Sequence, residues 1–242
     1  MKQFIVFSLV TLVITIMGAS CRRDRFWVRG EGPSVTNTRT VSSFNGVTLS
    51  MDANVEIFYD SVCRLEITGQ QNILNLITTD VVNGVLEVDL KRHTTLGKHE
   101  TVTVKLHLPS LSSIAISGSG NITSSGVNCE SFNARISGSG DINFNGNIAN
   151  SIDAHISGSG NMNLNSSSTC LNAKYSISGS GNIDAEWLKA DYVEAKISGS
   201  GDQKIYAEKQ LEVSISGSGD IAYRGNASVS ASISGSGKLK HL

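Results

Sequence analysis

The sequence predicts an all-β protein, a parallel β-solenoid (β-helix) with coils of about 20 residues. Three observations carry that expectation. The block Ile-Ser-Gly-Ser-Gly recurs seven times, starting at Ile116, Ile136, Ile156, Ile177, Ile197, Ile215 and Ile233. Apolar and polar residues alternate on both sides of every block, which is the period of a strand. The composition, with 24 Gly, 2 Pro and only 17% charged residues, suits many strands joined by tight turns.

The chain opens with the anatomy of a secretory signal peptide. Met1-Lys2 is a short positive start, residues 4–17 form an uncharged apolar run, and Gly18-Ala19-Ser20 precede Cys21. The run is shorter than the ~20 residues of a membrane span. Small residues before a cysteine resemble a lipobox, so Cys21 is the expected lipidation site, although Gly18 stands where such boxes usually carry Leu. An ordinary signal-peptidase cut at the same bond is the alternative. Either way residues 1–20 are read as removed and the mature chain starts at Cys21. Residues 21–34, with Arg22, Arg23 and Arg25 near their start, are read as a lipid-attached tether.

Residues 35–115 lack the Gly-rich block but keep the strand period. Val85-Leu86-Glu87-Val88-Asp89-Leu90 and residues 102–108 alternate clearly, and Asn83-Gly84 marks a tight turn. This portion is expected to continue or cap the solenoid, with a short helical turn near residues 72–77. Residues 116–242 form the repeat solenoid. The Ile of each block starts an inward column, and the residues two and four before it (Ala134 and Phe132 in one coil) extend the inward face. A further inward column follows the block: Ile122, Ile142, Met162, Ile183, Gln203, Ile221 and Leu239. Each repeat is therefore expected to hold two short strands separated by a Ser-Gly-Ser-Gly corner, where Gly permits positive φ. Asn or Asp after the second Gly is expected to close the corner through its side chain. The single extra residue before Ile177 is expected to bulge out, leaving the inward columns intact.

Candidate chemistry is sparse. Glu194 and Glu212 should be neighbours in adjacent coils, but they lie beside Lys196 on a flat face, which reads as a mixed-charge surface. The ladder Asn121, Asp141, Asn161, Asn182, Asp202 and Asp220 has one acidic step, Asp202 over Asp220. Calcium wants six to eight oxygens, so turn closure is the expected role. Trp187 and Tyr223 are placed in core or corner packing rather than as sugar platforms. No catalytic, cofactor or metal residues are assigned. Cys63, Cys129 and Cys170 are an odd set, expected as free thiols, with Cys129 and Cys170 in one column two coils apart. A net charge of −1 without a basic stripe argues against a nucleic-acid partner.

The repeated Ile-Ser-Gly-Ser-Gly-Asn/Asp blocks, with Phe44-x-x-Val47, Val82-x-Gly84-x-Leu86 and Leu108-Pro109-x-Leu111, resemble the GIN-domain family over roughly residues 38–240. That family is described as the head domain of autotransporter adhesins and is common in Bacteroidetes envelope proteins. The resemblance implies a right-handed parallel β-helix, an exported location and no demonstrated reaction. Acidic residues after the lipid cysteine often mark surface export in that phylum, and Arg22-Arg23-Asp24-Arg25 departs from that pattern. The periplasmic and surface faces therefore both stay open.

The expected function is non-enzymatic: an adhesin-like binding or surface protein of the cell envelope, attached to the membrane through a lipid on Cys21. A glycan or another envelope protein is the kind of partner that a repeated surface suits. The alternatives are a structural envelope spacer without a dedicated ligand and, last, a carbohydrate-active enzyme.

Overall fold

A computed structural model describes residues 26–242; the expected signal peptide, Cys21 and the basic run at 22–25 lie outside them. The chain forms β1 (Phe26–Val28), β2 (Ser34–Arg39), β3 (Gly46–Leu49), β4 (Asn54–Tyr59) and β5 (Arg64–Gln70). A one-turn helix α1 (Gln71–Leu74) leads to β6 (Ile77–Val82), β7 (Val85–Leu90), β8 (Thr94–Leu96) and β9 (Thr103–Leu108). The repeats supply β10 (Ser113–Ile116), β11 (Asn121–Ile136), β12 (Ile142–Ile156), β13 (Met162–Ser166) and β14 (Cys170–Ile177). They end with β15 (Ile183–Ile197), β16 (Gln203–Ile215), β17 (Ile221–Arg224), β18 (Ser228–Ile233) and β19 (Leu239–His241).

The repeat is the pitch of a parallel solenoid. Ile116, Ile136, Ile156, Ile177, Ile197, Ile215 and Ile233 are register partners from coil to coil. The column continues below the repeats through Leu49 and Val88. Its nine positions, ~4.8 Å apart, span about 38 Å. The second inward column runs in register from Val104 through Val55 and Ile122 to Leu239. Apart from buried Gln203 and the exposed Ile233 of the last described coil, these columns belong to one continuous apolar core. A single coil has no partner for its apolar face, so each coil is stabilised by its neighbours.

Chain order and stacking order differ at the start. β7 and β9 (residues 85–108) form the first coil, β3 and β4 (residues 46–59) lie on it, and β10 with the first half of β11 lies on those. Three antiparallel strands finish this end: β6 pairs with β7, and β2 pairs with β5, which pairs with β9. The segment therefore both continues and caps the solenoid. Asn83 and Gly84 have φ of 51° and 79° and make the two-residue turn between β6 and β7, closed by the Val82–Val85 pair. Arg39 fastens the cap, donating to the carbonyls of Leu74 (2.7 Å) and Ile77 (2.8 Å).

Several sequence expectations are corrected. The stretch read as a tether is bound to the body in its described part: β1 pairs with β8, and β2 begins at Ser34. The coils of β11, β12, β15 and β16 are single strands of 13 to 16 residues, bent at register shifts rather than split in two. The corner glycines serve close approach more than positive φ. A methyl group on Gly138 or Gly140 would overlap the carbonyl oxygen of Gly118 or Gly120 in the coil below. Of the repeat-block glycines only Gly235 has a positive φ, 134°. The backbones touch because Ser139 N–H donates to Gly118 O at 3.1 Å, a bond repeated up the stack. The extra residue before Ile177 is absorbed between β13 and β14, and Ile156 still pairs with Ile177.

Candidate functional site

The residue five positions before each block Ile lies beside the inward column at position four, and both positions together turn the wall. Bending the strand there leaves a concave strip. It holds a groove of about 700 Å³ running along the solenoid axis, from Ser112 to Gln210 and Glu212. One side is the register column Ser131, Ser151, Asn172, Tyr192 and Gln210. The other is Asn133, Asp153, Lys174, Glu194 and Glu212, with Phe132, Ile152, Ala173 and Val193 as the floor between them. Each coil thus presents one hydroxyl, amide or aromatic rung and one charged or amide rung.

The charged side is internally paired. Lys174 lies 3.1 Å from Glu194, Lys196 also bonds Glu194, and Arg135 lies 3.8 Å from Asp153. The hydrogen bond from Lys196, with a further one from Lys174, holds the Glu194 carboxyl below the usual carboxylate range. Glu194 and Glu212 are register partners, as the sequence implied. A glycosidase acid must carry its proton near neutral pH, and Glu194 is biased the opposite way. Tyr192 stands at the groove wall, with Lys209 over its ring at 5.9 Å and Lys209 bonded to Asp191 at 2.8 Å.

The Asn/Asp column is a ladder between coils, not a clasp within one corner. Asn121 Oδ1 accepts the N–H of Asp141 at 3.0 Å, and Asp141 Oδ1 accepts that of Asn161 at 2.7 Å. The same bond joins Asn161 to Asn182, Asn182 to Asp202, Asp202 to Asp220, and Asp220 to Lys238. Among the described residues no group of three or more His, Cys, Asp or Glu side chains is placed to hold a metal ion.

Trp187 is not in the core. Four residues of β15, 185–188, stand against the single Ile205 of β16, and this register shift pushes the indole out to 63% exposure. Arg224 lies 5.0 Å from its ring centre and bonds Glu186, so the bulge reaches a residue two coils away. Tyr223 does pack against the core as expected, stacked on His241 at 4.6 Å. Cys63, Cys129 and Cys170 are free. A register shift after Cys129 sets it opposite Ile148 rather than Ala149, so counting back from the block misplaced it relative to Cys170. Burial pushes the Cys129 thiol up to about 12, which makes it a poor nucleophile.

The groove escaped the sequence reading because strict alternation stops at position four before the Ile. A signal was present: position five reads Ser, Ser, Asn, Tyr, Gln through successive coils, without an aliphatic residue.

Residues 43–227 match the profile of the family described as “Putative auto-transporter adhesin, head GIN domain”. No curated protein matches the chain. Among solved structures it is similar to a “Putative lipid binding protein” from Parabacteroides distasonis ATCC 8503. That likeness has a TM-score of 0.77 and 24% identity, over 90% of this chain and 100% of that one. A “putative adhesin” from Bacteroides fragilis NCTC 9343 has a TM-score of 0.81 and 24% identity, over 89% and 100%. A “putative adhesin” from Parabacteroides merdae ATCC 43184 has a TM-score of 0.66 and 24% identity, over 89% and 99%. At these identities the likeness is one of fold.

Proposed function

The chain belongs to the family described as “Putative auto-transporter adhesin, head GIN domain”, and on that footing we propose that it is a non-catalytic, adhesin-like binding protein of the bacterial cell envelope. It is anchored by a lipid on Cys21 and holds an extended polysaccharide along its groove. The observation that carries this reading is the groove itself, about 700 Å³ crossing successive coils with repeated hydrogen-bonding rungs. The rungs recur every ~4.8 Å, whereas an extended peptide advances ~3.3 Å per residue and falls out of step. Sugar units, close in length to a coil spacing, stay in step. The Parabacteroides distasonis relative is described as lipid binding. Here the hydroxyl, amide and charged rungs favour a hydrated polymer over an acyl chain. The lowered Glu194 and its lysine partners favour binding over hydrolysis.

A glycan array probed with the mature chain lacking its lipid tests the groove. Reproducible binding to an extended polysaccharide, weakened at least tenfold by Lys174→Glu, is the expected result. Silence across the array sinks the binding reading and leaves the spacer. Turnover of a bound polysaccharide, lost in Glu194→Gln, would restore the enzyme reading. Mass spectrometry of membrane extracts should show an acylated Cys21; an unmodified mature chain in the soluble fraction refutes the anchor. Protease shaving of intact cells assigns the face.

A further inference from the structure

The two most exposed large apolar side chains among the described residues are neighbours: Phe26 at 71% and Trp27 at 73%. They are held in place rather than trailing. Phe26, Trp27 and Val28 pair in register with Thr94, Thr95 and Leu96. Phe26 N–H donates to His93 O at 2.9 Å, Gly97 N–H to Val28 O at 2.8 Å, and Gly30 N–H to Lys98 O at 3.0 Å. Val28 and Leu96 pack against the core, so Trp27, on the opposite face of this small sheet, is fixed outward, while Phe26 shares the side of Val28 but lies exposed at the start of the strand. The loop it pairs with, residues 91–101, replaces the tight corner of the later coils and carries Lys91, Arg92, His93, Lys98 and His99.

Charge concentrates at the same place. Among the described residues, 26–31 and 91–100 hold four Lys/Arg (Arg29, Lys91, Arg92, Lys98) against two Asp/Glu (Glu31, Glu100), while the other described positions hold 12 Lys/Arg and 18 Asp/Glu. The protein is thus basic at this end and acidic over the rest. Bulky aromatic side chains beside cationic ones are what the headgroup layer of a bilayer accepts: indole sits at the apolar–aqueous boundary, and Lys and Arg meet lipid phosphates. A second copy of the chain would bring like charge against like charge here.

We propose that outward Trp27 and the Lys91–His99 loop, with Phe26 exposed at the edge of the same strand, form a membrane-contact face that rests this end of the solenoid on the anionic headgroups of the anchoring bilayer. The inference rests on the reading that Cys21 carries the lipid. Phe26 follows Cys21 by five positions, so even a fully extended link keeps Phe26 within about 17 Å of the anchored cysteine. The contact lies on the surface: no described helix is long and apolar enough to cross a membrane.

The test uses the mature chain, residues 21–242, with Cys21→Ser to remove the lipid and Trp187→Phe to leave Trp27 as sole indole reporter. Vesicles of phosphatidylethanolamine with phosphatidylglycerol are compared with neutral phosphatidylcholine vesicles. The expected result is co-sedimentation with the anionic vesicles and a blue shift of Trp27 emission, both reduced by added salt. The pair Phe26→Ser and Trp27→Ser, and separately Lys91→Glu with Arg92→Glu, should weaken vesicle binding at least tenfold with unchanged circular dichroism and melting midpoint. Unshifted Trp27 emission overturns the proposal, as does vesicle binding that survives both sets of changes. A blue shift without vesicles, accompanied by a dimer in sedimentation, also overturns it in favour of a second copy. Because the lipid is absent, failure here is separate from failure of Cys21 acylation, which the mass spectrum reports.

Discussion

Asp202 Oδ1 accepts the backbone N–H of Asp220 at 2.7 Å, so the one acidic step in the corner ladder is joined through backbone rather than through a cation. Asp220 in turn accepts the N–H of Lys238 at 2.7 Å. Lys238 stands in the final described coil, where no further described N–H asks for an acceptor, and a residue that cannot accept is tolerated there. Calcium or a chelator is expected to leave the melting midpoint unchanged. A rise of several degrees on adding calcium would contradict the ladder reading.

The same ladder sets a mutational contrast. Asp141→Ala removes the acceptor for Asn161 N–H and is expected to cost about 1 kcal/mol. Lys238→Ala should change stability by less than about 0.5 kcal/mol. Urea unfolding of both variants measures the difference, and equal losses would refute it.

Gly140→Ala is expected to be severe, about 3 kcal/mol or failure to fold, because the added methyl meets Gly120 O and no flexible side chain stands there to yield. Ser139→Ala, one residue away and exposed, should be nearly neutral. Thermal melts of the two variants, or their soluble yields, make the comparison.

Tyr175 is fully buried between Ala154 and Ala195, and its hydroxyl has no hydrogen-bond partner. Burial pushes its ionisation well above the ordinary range. Tyr175→Phe keeps the ring and removes the unsatisfied group, so stability should rise by about 1 kcal/mol. A loss in urea unfolding would show that the hydroxyl is satisfied in solution.

Glu194 supplies a pH signature. Its carboxyl is held below the ordinary value by the Lys196 hydrogen bond and then by Lys174. The stability it contributes is complete above the ordinary carboxylate range and is lost as pH falls through the depressed value. The contribution is a few tenths of a kcal/mol, since the pairs are largely solvated. Carboxyl NMR titration should show Glu194 titrating early in the acid range and moving up in Lys196→Ala; an unmoved midpoint would refute the pairing.

The repeat portion was legible because each coil repeats one short-range rule. Ile136, Ile156 and Ile177 stack as their spacing required, and Asn83-Gly84 turns where its dipeptide said it would. The groove, the outward Trp187 and the fixed Phe26–Val28 strand were not legible. Each depends on a bend, a register shift or a partner far along the chain, such as the pairing of Trp27 with Thr95.

The amino-acid order by itself determined the coil length, the inward columns and the places of the corners, marked by glycine and in six of seven blocks by a following Asn or Asp, because those are patterns of a residue and its near neighbours repeated in step. Only the tertiary structure decided that residues 85–108 lie beneath residues 46–59, that the corner glycines answer to a backbone one coil away, and which outward residues share the groove. The physical reason is that contacts between coils join positions some 18 to 67 residues apart, and local periodicity carries no information about where a bulge shifts the register between them.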